Sequence, residues 1–139
     1  MSALIHATCV AIHGRAVLLA GPSGAGKSDL ALQLIDRGAF LVSDDYTELR
    51  CADGLLLARA PATIAGKIEV RGVGLIELEW AADVPVCLHA DLGGPQERLP
   101  EATTIRLAGV DIPTVALAAL EPSAPLKLEY ALVHFGLPL

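Results

Sequence analysis

The sequence predicts an α/β domain, rich in strands and poor in helices, organised around a phosphate-binding loop. Three observations lead there. The apolar run 16–20 meets Gly21-Pro22-Ser23-Gly24-Ala25-Gly26-Lys27-Ser28, and residues 29–34 follow with helix-forming composition. That is the strand–loop–helix context in which G-x-x-x-x-G-K-[ST] cradles a polyphosphate. Beyond it, short apolar runs bounded by turn signals outnumber helical stretches, which gives more β than a doubly wound sheet. The third observation is length: 139 residues suffice for one core but not two, so residues 1–139 are expected to form a single domain.

Residues 7–12 run apolar up to His13-Gly14, a turn signal before 15–20, so the two runs are expected to pair and feed the loop. A helix is expected from Lys27, with Leu30, Leu34 and Ile35 at helical spacing, Arg37 in its last turn and Gly38 as its C-terminal cap. Phe40-Leu41-Val42 reads as a short buried strand ending at Ser43-Asp44-Asp45. Residues 47–51 and 55–58 flank Ala52-Asp53-Gly54, a hairpin signal. Residues 61–66 read as loop, and 67–76 as an apolar strand interrupted by charge and by Gly72 and Gly74. Another strand is expected over 85–89, then a surface loop over 91–102, rich in Gly, Pro and charge. Residues 105–107 and 110–112 flank Ala108-Gly109 as a further hairpin. Pro125 opens a C-terminal helix that carries Leu126, Tyr130 and Val133 on one face and ends at Gly136.

Composition removes several classes of function. The chain is 53% hydrophobic but only 4% aromatic, so its core is aliphatic. Its apolar runs are too short and broken to span a bilayer. The N-terminal residues lack the basic region and long apolar core of a signal peptide, which makes the cytoplasm the expected location. A formal charge of −6, with no run of Lys or Arg, argues against non-specific nucleic-acid binding. Cys9, Cys51 and Cys87 are isolated, odd in number and without C-x-x-C spacing, as small apolar residues in a reducing compartment would be.

The loop carries the clearest chemistry. Gly24 and Gly26 tolerate backbone angles that turn several N–H groups inward, and the following helix N-terminus adds unpaired donors and partial positive charge. Lys27 is placed to reach β- and γ-phosphates, and the Ser28 hydroxyl to join a Mg²⁺ shell. Asp44 and Asp45 end a buried strand, the edge where open α/β sheets hold ligands. Two adjacent carboxylates can divide labour, one ordering the metal's water shell and the other accepting a proton. As turn residues they would instead bond local N–H groups, but the phosphate loop one helix upstream favours the functional reading. Glu69 and Arg71 alternate, so a regular strand would present both on one face. There they suit metal and phosphate, although an edge strand with a surface ion pair reads the same way. His6 is ambiguous on its own, a lone histidine beside an apolar strand being more often structural than catalytic, and His13, His89 and His134 read as structural histidines.

Taken together these segments resemble the catalytic domain of the HPr kinase/phosphorylase family, in its short, single-domain alphaproteobacterial form. The resemblance rests on His6 fifteen residues before the loop, on residues 21–28, on Leu41-Val42-Ser43-Asp44-Asp45, and on Ile68-Glu69-Val70-Arg71-Gly72-Val73-Gly74. It covers residues 4–80 well and the remainder weakly. It implies a fold like the nucleotide-binding core of phosphoenolpyruvate carboxykinase. It further implies an ATP- and Mg²⁺-dependent serine kinase acting on the phosphocarrier HPr, assembled as a homo-oligomer, a hexamer in the family. Position by position, Gly21, Pro22, Ser23, Gly24, Ala25, Gly26, Lys27 and Ser28 match the nucleotide loop. Asp45 matches the residue that accepts the serine proton, with Asp44 its companion near the metal. Ser28 and Glu69 match metal ligands, His6 the histidine that tunes the aspartate, and Arg71 a supporting cation.

Two departures weight the expectation towards phosphorylation rather than its reversal. Only Ala81-Ala82-Asp83 stands where the family has a longer, arginine-bearing loop, and Leu120-Glu121-Pro122-Ser123-Ala124-Pro125 replaces a basic segment tied to dephosphorylation. Competing expectations are a nucleotide-sensing module without catalysis and a small-molecule kinase on the same scaffold.

Overall fold

The computed structural model describes residues 2–139. In chain order the elements are β1 (Ser2–Ile5), β2 (Ala7–Ile12), β3 (Arg15–Ala20), α1 (Lys27–Asp36), β4 (Phe40–Ser43), β5 (Thr47–Ala52), β6 (Leu55–Arg59), β7 (Lys67–Val70), β8 (Gly74–Glu77), β9 (Val84–Asp91), β10 (Thr103–Leu107), β11 (Val110–Ala116) and α2 (Ala124–Phe135). Nine strands form one sheet: seven run in the order β1-β5-β6-β9-β3-β2-β4, β11 joins beside β9 and β10 pairs with β11, while β7 and β8 form a separate ribbon.

Local sequence explains the hairpins. His13 and Gly14 (φ 51° and 78°), Asp53 and Gly54 (51° and 78°), and Ala108 and Gly109 (47° and 82°) all take left-handed angles. Two such residues in a row match the twist of antiparallel strands, and a Gly in each pair lowers the cost. The pairs β2–β3, β5–β6 and β10–β11 follow.

β9 is the hub. It lies parallel to β3 along one edge. Its other edge is shared, Val84 and Pro85 pairing with β6 and His89 to Asp91 with β11. Alternation then sorts side chains to two faces. Val10, Ile12, Val17, Leu19, Leu88 and Ala90 pack under α1 and α2 with Leu30, Leu34, Leu128 and Leu132. Cys9, Ala11, Ala16 and Leu18 face the opposite way, onto Leu49, Leu56 and Ala58 of the β5–β6 hairpin. The central strands are therefore covered on both faces and read as continuous apolar runs.

β4 is antiparallel to β2, and β2 to β3, so β3, β4 and β9 all point one way. Their C-terminal ends deliver the glycine-rich loop, Asp44-Asp45 and Asp91 to one edge of the sheet. That edge is where ligands are held in α/β sheets.

Three expectations are corrected. Residues 67–76 form the β7–β8 ribbon rather than one strand, because Gly72 (φ 85°) and Gly74 (φ 136°) reverse the chain. Arg71 consequently sits in the turn, outside the strand that carries Glu69. On α2, Leu126, Tyr130 and Val133 face solvent; Leu128, Ala131 and Leu132 form the buried side. A strand over the N-terminal residues was not expected, and β1 exists by pairing Ser2–Ile5 against β5. Among the described residues, no helix is long and apolar enough to cross a membrane.

Candidate active site

The loop between β3 and α1 takes its shape from three glycines. Gly21, Gly24 and Gly26 have φ of 156°, 86° and 93°. Gly26 is the N-cap of α1 in a left-handed conformation, and no side chain caps the helix. The first-turn N–H groups therefore remain available to an anionic ligand. A Cβ at Gly26 would stand 2.7 Å from Cδ2 of Leu120, so the segment before α2 closes over the loop. Behind it, a Cβ on Gly93 would meet Cδ of Pro22 at 2.7 Å, which places the turn after β9 against the loop's back.

Lys27 is 7% exposed and donates from Nζ to the carbonyl oxygens of Gly21 (2.8 Å) and Pro22 (3.1 Å). An ammonium has three donors, so one remains for a ligand. Ser28 Oγ donates to Asp44 Oδ1 at 2.7 Å.

The two aspartates have different surroundings. Asp44 is buried, and both its oxygens are engaged. Oδ1 accepts from Ser28 and from Thr8 Oγ1 (3.2 Å), and Oδ2 accepts the Glu69 N–H (3.1 Å). Asp45 adopts φ 69°, and its side chain is 58% exposed. That exposure leaves its carboxylate open to a group arriving from outside. His6 Nε2 donates to Asp45 Oδ1 at 2.8 Å, and the imidazole stacks on Tyr46 with ring centroids 5.1 Å apart.

A cleft of ≈ 430 Å³ joins these groups; the loop, Lys27, Ser28, Asp44, Asp45, Glu69, Arg71 and Leu120 line it. Leaving the strand thus does not remove Arg71 from the site. Asp29, Asp44, Asp45 and Glu69 supply four carboxylates to the cleft against two cations, Lys27 and Arg71. A polyphosphate entering so acidic a cleft needs a cationic companion. The donors suit Mg²⁺, which takes hard oxygen ligands and borrows the rest from water and phosphates. Among the described residues no group of three or more His, Cys, Asp or Glu stands ready to hold a metal alone. A hydroxyl, nearby carboxylates and a phosphate cradle fit a metal that arrives with its nucleotide.

The glycine-rich loop, Lys27, Ser28, Asp44, Asp45, Glu69, Arg71 and His6 meet at this one edge. His89 lies apart, its Nδ1 2.7 Å from Thr114 Oγ1, and burial pushes its pKa below the ordinary 6.5 against the opposing pull of Asp91. The thiols of Cys9 and Cys87 are pushed up by burial, so they are unreactive core groups. Sequence reasoning missed Thr8 and Tyr46. The available signal for Thr8 was a hydroxyl in an otherwise apolar strand two residues after His6.

Residues 1–81 match the family model of the HPr serine kinase C-terminal domain. The HPr kinase/phosphorylase of Clostridium beijerinckii is 43% identical over 74 residues, which is 53% of this chain and 24% of that protein. That of Clostridium perfringens is also 43% identical over 74 residues, with the same coverage of both. The chain thus spans about a quarter of the length of these curated relatives. A solved structure titled as the Hpr(Ser) kinase/phosphatase from Coxiella burnetii superposes with a TM-score of 0.83 at 26% identity, covering 95% of each chain.

Proposed function

Because the chain belongs to the family of HPr serine kinase C-terminal domains, we propose that it is an ATP- and Mg²⁺-dependent kinase that phosphorylates a serine of HPr. The observation that carries this reading is the half-exposed Asp45 carboxylate, held by His6 at 2.8 Å on the rim of the cleft that contains Lys27. A sensor of nucleotide alone needs no accessible carboxylate beside the phosphate cradle.

In this reading the loop N–H groups and Lys27 hold the β- and γ-phosphates. Arg71, which also lines the cleft, adds positive charge, and Asp45 takes the proton from the attacking serine hydroxyl. His6 keeps the Asp45 oxygen aimed at that position. Ser28 and Glu69, with Asp44 nearby, would hold Mg²⁺, whose charge offsets that of the polyphosphate. Rate acceleration then comes mainly from positioning and charge stabilisation. Catalysis, cytoplasmic location and homo-oligomeric assembly belong to the same proposal. The proposal is for phosphorylation rather than its reversal, because only Ala81-Ala82-Asp83 connects Trp80 to β9 and the segment 120–125 before and into α2 carries no basic residue.

Single-turnover transfer from Mg-ATP to HPr tests the role of Asp45. Asp45→Asn is expected to slow transfer by about 10²–10⁴-fold while ATP still binds. Full turnover by a folded Asp45→Asn protein would show the base assignment to be wrong.

A further inference from the structure

Thr8 sits in β2 on the face that packs under α1, in register with Val10 and Ile12. An aliphatic residue would extend that stripe without cost. Instead a hydroxyl is buried at 0% exposure, which is tolerable only if its hydrogen bonds are made. Both are. Thr8 Oγ1 donates to Asp44 Oδ1 at 3.2 Å and accepts the Asp45 N–H at 3.1 Å. One side-chain atom therefore spans the two neighbouring aspartates, touching the carboxylate of one and the backbone of the other.

The geometry points to Thr8 as a positioning residue that locks the Asp44–Asp45 pair into its working arrangement. A left-handed backbone costs a residue with a Cβ some stability, less for Asp than for most, and Asp45 at φ 69° is held in it by the bond from its N–H to Thr8 Oγ1. Thr8 supplies this tether from a strand whose other residues are fixed in the core. The same hydroxyl, with Ser28 Oγ and the Glu69 N–H, closes the set of donors around Asp44. Neither side of the Thr8 bridge reaches substrate. Its effect passes through the direction of the Asp45 side chain towards His6 and the cleft.

The inference deepens the kinase reading and rests on it for its catalytic consequence, so its test has two independent readouts. Thr8→Val keeps the shape and removes the hydroxyl; Thr8→Ser keeps the hydroxyl. Amide hydrogen exchange by NMR reads the tether directly, without any reaction. The Asp45 amide is expected to lose protection in Thr8→Val and keep it in Thr8→Ser, while core amides of β3 and β9 stay unchanged. HPr phosphorylation is expected to show a kcat reduced about tenfold or more in Thr8→Val, the scale of a lost bond to a charged group. KM for ATP should change little, and Thr8→Ser should restore most of the rate. Unchanged Asp45 protection in Thr8→Val would overturn the tether. Lost protection with an undiminished kcat would overturn its catalytic consequence. A wild-type chain that leaves HPr unmodified would overturn the kinase reading instead, and the exchange comparison would still decide the tether.

Discussion

At the scale of single residues, the site separates two carboxylates that are adjacent in sequence. Asp44 is enclosed by donors from Ser28, Thr8 and Glu69, whereas Asp45 keeps an exposed face and a single histidine partner. One is suited to order a metal's surroundings and the other to exchange a proton with an incoming hydroxyl. Gly26 shows how little tolerance the cradle has. Its φ of 93° disfavours any side chain, and a Cβ there would press on Leu120. Gly26→Ala is expected to weaken ATP binding at least tenfold and to cost about 1 kcal/mol or more of stability, measured by calorimetry and urea unfolding. Adding Leu120→Ala should relieve the contact but not the backbone strain, leaving affinity mostly unrestored. Full recovery in the double variant would locate the constraint in the contact alone. The glycine-rich loop, Lys27, Ser28 and both aspartates were legible from residue type and spacing. Thr8 was not, because a threonine in a buried strand carries no local mark of what its hydroxyl touches.

At the scale of elements, the β7–β8 ribbon lies outside the main sheet yet brings Glu69 and Arg71 to the cleft. Its anchor is Ile68, fully buried in the core under α1, with no main-sheet strand paired to it. Ile68→Ala is expected to destabilise the fold by about 2–5 kcal/mol. It should also raise hydrogen exchange across the ribbon more than across β3 and β9. A uniform change throughout the molecule would contradict an independently anchored ribbon. Residues 67–76 looked like one strand in sequence because apolar residues continue on both sides of Gly72 and Gly74. Whether two such glycines kink a strand or reverse it depends on tertiary packing that the pattern does not encode. α2 misled in the opposite way. Leu126, Tyr130 and Val133 make a consistent apolar stripe, but Ala124, Leu128, Ala131 and Leu132 make another, and the smaller alanines let the second one approach the sheet. The β2–β3, β5–β6 and β10–β11 hairpins were the most legible elements, since each carried its own two-residue Gly-containing turn.

At the scale of the whole molecule, β9 couples the helix-covered layer to the β5–β6 layer by sharing its edge between β6 and β11. Long-range arrangement of that kind leaves no trace in a local window, so strand order was beyond reach while strand content was not. His89 near the end of β9 links this core to pH. Its pKa is depressed mainly by burial, so the folded chain takes up that proton only below the value at which the unfolded chain does. The unfolded state then binds more protons as pH falls through about 6.5, and stability declines there. Urea unfolding at successive pH values is expected to show this decline, and His89→Asn to flatten that part of it. An identical profile in the variant would remove His89 from the account. In the proposed reaction the chain transfers a phosphoryl group to another protein. The most direct test is the intact mass of HPr from the same organism after incubation with the chain and Mg-ATP. The expected result is the gain of one phosphoryl group by HPr, abolished by Lys27→Ala. HPr of unchanged mass, with ATP bound to a folded chain, would contradict the kinase and leave a nucleotide-binding module in its place.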